Sequence, residues 1–314
     1  MMFYLRPLQF EFLAKKSVYF PDGKAANIIR SALGSTLKQI SCVPECTDVK
    51  TCPLLGDCVY ARLFEPTGYG PGPSGLIDRP RPFVIRAANL DGYTVPPGCT
   101  FKLGINLFDL HPHAPLHLIR AFARLAEYGL GPGHGAVELI RASIVNENGE
   151  CMQDLYCEGQ IQKFEALARL GLTLDEIVQK VHSVRAEFLT PTELKGEGAA
   201  AGSAPSFSLL FARIRDRVSN LRLFYGEGPL EIDFAGLGSE AGKVEVREFS
   251  LRHAATQRFS MSKRQSHPIG GFMGSVTYAG ELSKFIPYLG AARWTGVGKH
   301  TVWGNGEMIF KILE

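Results

Sequence analysis

The order helix, glycine-rich loop, strand occurs twice in this chain of 314 residues. The first copy covers 116–145 and contains the loop GLGPGHG at 129–135; the second covers 281–313 and contains GVGKHTVWGNG at 296–306. Glycine adopts backbone conformations that other residues rarely reach, so two clusters at matching places predict the same turn in each copy. The repeat favours two related domains in tandem over a single irregular α+β domain.

Apolar periodicity predicts the rest of the element order. Alternation predicts strands at 2–13, 83–90, 100–109, 136–145, 184–191, 243–251, 271–279 and 307–313, with a short hairpin at 151–161. Helical spacing predicts helices at 22–40, capped by Asp22, and at 116–128, 164–181, 210–221 and 282–289. The first half thus has the order βαββαβ of a ferredoxin-like domain. The predicted fold class is α+β, with two tandem ferredoxin-like domains at 1–150 and 151–314.

Composition excludes several classes of protein. Hydrophobic residues make up 45% of the chain and charged residues 21%, which is typical of globular proteins and excludes disorder of the whole chain. No apolar run reaches the roughly 18 residues that a membrane span needs. Arg6 and Glu11 interrupt the N-terminus before a signal-peptide core forms. We therefore expect a soluble, cytoplasmic protein with no membrane partner.

Positive charge is concentrated near the C-terminus. The formal net charge of the whole chain is +3, whereas the segment 252–300 contains seven basic residues and one acid, Glu281. Aromatic residues, among them Phe259, Trp294 and Trp303, lie within this segment or beside it. A basic face with aromatic side chains is typical of nucleic-acid binding, and ferredoxin-like sheets are common RNA-binding platforms.

The second glycine loop has the spacing G-x-G-x5-G-x-G. Exposed main-chain N–H groups suit phosphate binding, and Lys299 adds a mobile positive charge. The motif is not a P-loop, because His300 follows Lys299 and Arg293 occupies the place of the required first glycine. It is not a dinucleotide fingerprint either, because the loop precedes the last strand instead of opening a helix. A glycine turn with no ligand is the alternative.

Four of the seven cysteines are clustered, and seven is an odd number and a low density for a disulfide scaffold. The cluster is Cys42, Cys46, Cys52 and Cys58, with three, five and five residues between neighbours. Four thiolates in one loop can hold zinc tetrahedrally, which predicts a structural zinc site. An iron–sulfur cluster and four reduced cysteines that pack a loop are the alternatives.

The segment 258–310 resembles the C-terminal domain of the CRISPR repeat-processing endoribonucleases, the sixth Cas family of the RAMP superfamily. The matching features are Arg258, the run from Ser260 to Arg264–Gln265, PIGGF at 268–272, the stretch 276–282 with Gly280, and the second glycine loop. Nearer the N-terminus, CPLLGDCVYARLFEP at 52–66 is similar to a Cys-Pro-Leu…Phe-Glu-Pro segment of one branch of that family.

The resemblance implies two ferredoxin-like RAMP domains that bind CRISPR repeat RNA and cleave pre-crRNA within the repeat, with no metal in catalysis. In that chemistry the RNA 2′-OH attacks the adjacent phosphate, and the products are a 2′,3′-cyclic phosphate and a 5′-OH. The crRNA product is often retained, and other Cas subunits of an effector complex are implied as partners. The residues expected to bind RNA are Arg258, Lys263, Arg264, Gly296, Gly298, Lys299 and Gly304.

The catalytic residues depart from the family pattern. Many members carry a histidine on the first helix, whereas this chain has none before His111. Some relatives also have a histidine just before the glycine loop, where this chain has Thr295. His267 and His300 are therefore the candidates for general acid–base catalysis.

The missing histidine leaves other functions open. One is a nuclease-inactive repeat-RNA-binding subunit of a CRISPR effector complex, and another is a RAMP backbone subunit of such a complex. Arg264–Gln265 and PIGGF favour the processing family over the backbone subunit. Tyr19 and Lys24, near the first helix, are further candidates for the proton transfers.

Overall fold

The computed structural model describes residues 1–43, 45–70, 72, 76, 79–125, 127–196, 203–254, 257–260, 265–268 and 270–314. The chain divides into two compact units. The N-terminal unit is Leu5–Leu170, and the C-terminal unit is Gly171–Glu314 together with Met1–Tyr4. Among the helices of these described ranges, none combines the length and the apolar character that crossing a membrane requires.

The N-terminal unit is built on an antiparallel sheet. Its strands are β1 (Met2–Ala14), β2 (Val18–Tyr19), β3 (Phe83–Arg86), β4 (Thr94–Val95), β5 (Thr100–Leu107), β6 (Val137–Val145), β7 (Cys151–Cys157) and β8 (Gln160–Ile161). Its helices are α1 (Ala25–Ser41), α2 (Val59–Phe64) and α3 (Ala114–Leu125). The sheet has the order β3-β5-β1-β6-β7-β8, and β2 pairs with β4. The first strand of the βαββαβ order therefore lies between the third and the fourth, as in ferredoxin-like folds.

Alternate residues of β1 form the core of this unit. Phe10 and Phe12 are fully buried, and their ring centroids lie 4.5 and 5.6 Å from that of Phe122 on α3. Residues between them face the other side of the sheet, where Glu11 pairs with Lys102 at 3.7 Å. One face of the sheet therefore packs against helices, and the other carries paired charges.

The C-terminal unit repeats this architecture. Its strands are β9 (Leu170–Thr173), β10 (Ser183–Thr192), β11 (Glu245–Ala254), β12 (Gln257–Ser260), β13 (Gln265–Pro268), β14 (Gly271–Ala279) and β15 (Met308–Leu313). Its helices are α4 (Phe207–Tyr225), α5 (Phe234–Ala241) and α6 (Ile286–Thr295). The main sheet has the order β11-β14-β10-β15, β12 and β13 form a hairpin, and β9 pairs with β1. This order matches β3-β5-β1-β6 strand for strand, which confirms the predicted tandem ferredoxin-like folds.

Aromatic rings fix α4 and the start of α6 against this second sheet. Phe211 of α4 and Phe285 have ring centroids 4.7 Å apart, and Phe207 lies 5.2 Å from Tyr278 of β14. All four side chains are buried, and the Tyr278 hydroxyl donates to the Pro205 carbonyl at 3.0 Å. The packing satisfies the polar end of Tyr278 and positions the helix that leads into the second glycine loop.

Two sequence-based expectations about the middle of the chain differ from the structure. The predicted helix at 164–181 is wrong: every residue of that segment is described, none is helical, and Leu170–Thr173 forms β9. Pairing with β1 decides its conformation, and helical periodicity within the segment cannot reveal that partner. The boundary between the two units also differs from the predicted one at residue 150. Strand β7 pairs with β6, and residues 151–170 belong to the N-terminal unit.

The first helix is capped by a residue other than Asp22. The helix begins after Lys24, whose side chain makes no capping bond. Instead, the first helical N–H, that of Ala25, donates to Asp91 Oδ1 at 2.8 Å. A carboxylate from a distant loop thus supplies the acceptor that local sequence rules assigned to Asp22.

We expect Asp91→Ala to lower the free energy of unfolding by about 1 kcal/mol, because α1 loses the acceptor for its first N–H group. Asp22→Ala is the matched control and should change stability little, since Asp22 is exposed and its side chain does not cap α1. Urea denaturation followed by circular dichroism measures both changes. An equal loss in the two variants would contradict the assignment of Asp91 as the cap.

Candidate functional site

The second glycine loop, 296–306, begins where α6 ends. Gly296 has a φ of 65°, and its N–H donates to the Ala292 carbonyl at 2.8 Å. The buried Thr295 hydroxyl donates to the Gly296 carbonyl at 2.9 Å. Arg217 Nε of α4 donates to the Thr295 carbonyl at 2.7 Å. Thr295, which stands where some relatives have a histidine, is therefore part of the scaffold of the loop.

Two glycines of the loop are required by close main-chain contacts. A Cβ on Gly298, whose φ is 81°, would lie 2.3 Å from the Glu193 carbonyl oxygen. A Cβ on Gly306, whose φ is 71°, would lie 2.0 Å from the Val297 carbonyl oxygen. Both residues have left-handed backbone conformations and no room for a side chain. The fold itself requires these glycines, whether or not a ligand binds.

The end of β10 holds the loop through main-chain hydrogen bonds. The Lys299 N–H donates to the Glu193 carbonyl at 2.9 Å. The Gly306 N–H donates to the Pro191 carbonyl at 3.0 Å. Because β10 is a central strand of the sheet, these bonds fix the middle and the end of the loop to the rigid part of the unit.

Thr190 adds a side-chain link to the same scaffold. Its hydroxyl donates to the Gly304 carbonyl at 2.9 Å and accepts from the Glu307 N–H at 2.9 Å. The loop is thus bonded along its length before any ligand binds. Thr190 and Arg217 could not be predicted from the sequence, because neither belongs to a motif and both bond to residues far along the chain.

Two of the predicted functional residues share one carboxylate. Lys299 Nζ lies 2.5 Å from Glu193 Oε1, and His300 Nε2 lies 3.7 Å from Glu193 Oε2. The His300 ring centroid lies 5.2 Å from that of Trp303. The structure therefore brings the predicted RNA-binding Lys299 and the candidate catalytic His300 together. It adds Glu193, which sequence analysis missed.

The basic segment 252–300 is less positive in the folded protein than its composition suggests. Lys299 pairs with Glu193, and Lys284 forms an ion pair with Glu240 of α5. The hydrogen bond to Glu240 raises the pKa of Lys284. Both acids lie outside the segment, so a count of charges along the sequence overstates the local positive charge.

One further predicted RNA-binding residue, Arg258, belongs to the hairpin of β12 and β13. Arg258 on β12 and the candidate catalytic His267 on β13 are Cα partners in this hairpin. Lys263 and Arg264 lie outside the described residues. His267 and His300 therefore belong to different elements, the hairpin and the glycine loop. Of the other candidates for proton transfer, Tyr19 is on β2 and Lys24 precedes α1, both in the N-terminal unit.

The four clustered cysteines are free thiols in the N-terminal unit. Cys46 is hydrogen-bonded to Cys52 and Cys42, and mainly the bond to Cys52 raises the pKa of Cys46 to about 11. The Cys58 thiol accepts from the Ala61 N–H at 3.4 Å at the start of α2. Among the residues that the structure describes, no three His, Cys, Asp or Glu side chains are arranged to hold a metal ion. The thiols are neighbours but not a formed set of ligands, so the zinc site stays a prediction.

Family models match both units. Residues 186–308 match the model of the CRISPR-associated endoribonuclease Cas6, and residues 3–168 match an N-terminal domain model, AF_1859_N. Residues 186–308 are thus similar to the Cas6 endoribonucleases. The Cas6 match contains the glycine loop and the end of β10 that holds it. Among curated proteins, no sequence matches the chain significantly.

Solved Cas6 structures have the same fold over nearly the whole chain. A Cas6 (TTHB231) product complex aligns with a TM-score of 0.57 at 18% identity and covers 98% of this chain and 99% of that one. Thermus thermophilus Cas6 (TTHB231) aligns with a TM-score of 0.53 at 16% identity over 99% of each chain. A partial Cas6-RT-Cas1–Cas2 complex aligns with a TM-score of 0.57 at 13% identity, over 99% of this chain and 46% of that one. At these identities the likeness establishes the tandem ferredoxin-like fold.

We expect Gly298→Ala to lower the melting temperature by several degrees. The added Cβ meets the Glu193 carbonyl oxygen at 2.3 Å, and a strained backbone conformation of this kind costs about 1–3 kcal/mol. Gly290→Ala, in α6, is the matched control, because a Cβ there meets no atom within 4 Å. Differential scanning fluorimetry compares the two, and equal melting temperatures would contradict the close contact at Gly298.

The predicted zinc site is tested by elemental analysis of the purified protein. One zinc ion per chain is the expected result, and Cys52→Ala should lose it and unfold at a lower temperature, since bound metal contributes to folding free energy. Cys99→Ala is the matched control, because Cys99 lies outside the cluster and is exposed. Protein that contains neither zinc nor iron would show that the four cysteines only pack the loop.

Proposed function

We propose that the chain binds CRISPR repeat RNA through its C-terminal unit and cleaves pre-crRNA within the repeat. The observation that carries the proposal is the glycine loop, whose backbone is fixed by β10 and α4 and whose Lys299 and His300 lie side by side. The match of residues 186–308 to the model of the CRISPR-associated endoribonuclease Cas6 supports it. Similar folds occur in a Cas6 product complex and in a Cas6-RT-Cas1–Cas2 complex, so repeat RNA and other Cas subunits are the proposed partners.

In the proposed mechanism the RNA supplies its own nucleophile. The 2′-OH attacks the adjacent phosphorus, the bond to the 5′ oxygen of the next nucleotide breaks, and a 2′,3′-cyclic phosphate and a 5′-OH result. One protein group accepts the 2′-OH proton and another protonates the leaving oxygen, and we assign these roles to His267 and His300. Lys299 and the main-chain N–H groups near Gly298 stabilise the extra negative charge on the phosphate.

The chain's own residues account for each of these steps without a metal ion in the chemistry. A rigid loop holds the phosphate in line with the 2′-OH, and such positioning supplies a large share of the rate. We assign Arg258, Lys263 and Arg264 to the binding of the RNA backbone, since each adds positive charge to the segment 258–264. Because these residues lie in the unit that we propose to cleave the repeat, the crRNA product would stay bound to that unit.

One alternative is favoured by a specific observation. The first helix carries no histidine, and Thr295 is committed to the scaffold of the loop. These two facts fit a nuclease-inactive repeat-RNA-binding subunit of a CRISPR effector complex. The experiment must therefore separate binding from cleavage.

We expect the protein to cleave repeat RNA in EDTA and to leave a 2′,3′-cyclic phosphate. A repeat with a single 2′-deoxy sugar at the cleavage position should bind with unchanged affinity and stay intact, because it lacks the nucleophile. Cleavage of the deoxy substrate at the rate of all-RNA would contradict internal attack. An intact all-RNA repeat, with or without divalent metal, would establish the binding subunit instead.

Two variants assign the proton transfers in this reaction. His267→Ala and His300→Ala should each reduce the single-turnover rate by about 100-fold or more while repeat binding is retained, as removal of a general acid or base does. His253→Ala is the control, because His253 lies on β11, outside the loop and the hairpin. If neither variant slows cleavage, the histidines are not the acid and the base.

A further inference from the structure

Glu193 contacts the glycine loop with both its main chain and its side chain. Its carbonyl oxygen accepts from the Lys299 N–H at 2.9 Å and lies against Gly298. Its two carboxylate oxygens face Lys299 Nζ at 2.5 Å and His300 Nε2 at 3.7 Å. The main-chain contacts fix the backbone of the loop. The carboxylate faces both Lys299, which we assign to the RNA phosphate, and His300, which we assign to proton transfer.

The carboxylate resembles a bound phosphate in charge and in the spacing of its oxygens. Two oxygens of one anion each face a nitrogen of the loop, as two oxygens of an RNA phosphate would. The side chains of Lys299 and Glu193 are 45% and 39% exposed, so a ligand can reach both. A phosphate that approaches Lys299 also meets the negative charge of Glu193 and is repelled by it.

We propose that Glu193 holds the place of an RNA phosphate in the free protein and is released from Lys299 and His300 when repeat RNA binds. The inference rests on the proposed function, since it requires that the loop binds RNA. Glu193 is then a positioning residue: it keeps the two side chains in place before RNA arrives. It also weakens binding, because each binding event must break the internal ion pair.

The exchange of partners has a signature in the salt dependence of binding. A lysine that neutralises an RNA phosphate releases a counterion, and each such contact adds about 0.7 to the slope of log Kd against log salt for single strands. When Glu193 loses its lysine partner it attracts a counterion of its own. The slope of the native protein is therefore smaller than its number of phosphate contacts predicts.

The test is Glu193→Gln, which keeps the length of the side chain and all main-chain contacts but removes the charge. The ligand is a repeat RNA that carries the 2′-deoxy sugar, so that cleavage does not interfere. We expect binding to tighten about twofold to fivefold at low salt, the range for loss of a partly exposed ion pair. The salt slope should steepen by up to about 0.7.

Glu187→Gln is the matched control. Glu187 lies on β10, the strand that Glu193 directly follows, and pairs with a lysine, Lys311 of β15, at 3.2 Å, but outside the glycine loop. It should leave the affinity and the salt slope unchanged. Glu193→Asp, which keeps the charge, should bind closer to the native protein than Glu193→Gln does.

Lys299→Ala separates failure of this inference from failure of the proposed function. If Lys299→Ala binds repeat RNA as tightly as the native protein, the loop does not bind an RNA phosphate. That result would contradict the proposed function of the loop. If Lys299→Ala weakens binding but Glu193→Gln does not tighten it, or weakens it, the inference about Glu193 is overturned. In support of the inference, Glu193→Gln should tighten binding less when Lys299→Ala is already present, because only the direct repulsion between Glu193 and the phosphate is then removed.

Discussion

Antiparallel pairing between the first and the last strand of each ferredoxin-like unit fixes where its glycine loop lies. In the C-terminal unit β10 pairs with β15, with Phe188 opposite Met308. In the N-terminal unit β1 pairs with β6, with Ala14 opposite Val137. Because paired strands run in opposite directions, the end of the first strand meets the chain that enters the last strand. That chain is the glycine loop in both units.

The same constraint explains a glycine in each of the two loops. In the N-terminal unit the Lys15 N–H donates to the Ala136 carbonyl at 2.8 Å, and a Cβ on Gly135 would lie 2.4 Å from the Ser17 carbonyl oxygen. Gly298 meets the end of β10 in the same way. The spacing of the glycines alone therefore indicates close main-chain packing in the fold. The C-terminal loop is distinguished by its side chains, because Lys299 and His300 both face the carboxylate of Glu193.

The repeated element order was sufficient to predict the fold, since it fixes both the strand order and the antiparallel pairing. The strand predicted at 271–279 coincides with β14. The segment 164–181 was mispredicted because helical periodicity does not reveal a sheet partner. In the candidate site, the spacing of the glycine loop indicated Lys299, and the resemblance to the CRISPR repeat-processing endoribonucleases made His300 a candidate. Glu193, which is 106 residues away from Lys299, has no local signal, but the position of β10 beside β15 is enough to place it.

In the C-terminal glycine loop the backbone is fixed, whereas the contacts of its side chains can change. Its backbone is bonded to Thr190, Arg217 and the end of β10, so RNA binding need not order the main chain and does not incur that entropic cost. Thr295 belongs to this fixed part, and its hydroxyl is already committed to a carbonyl. RNA binding then changes only the contacts that side chains make. Lys299 and His300 exchange the carboxylate of Glu193 for an RNA phosphate.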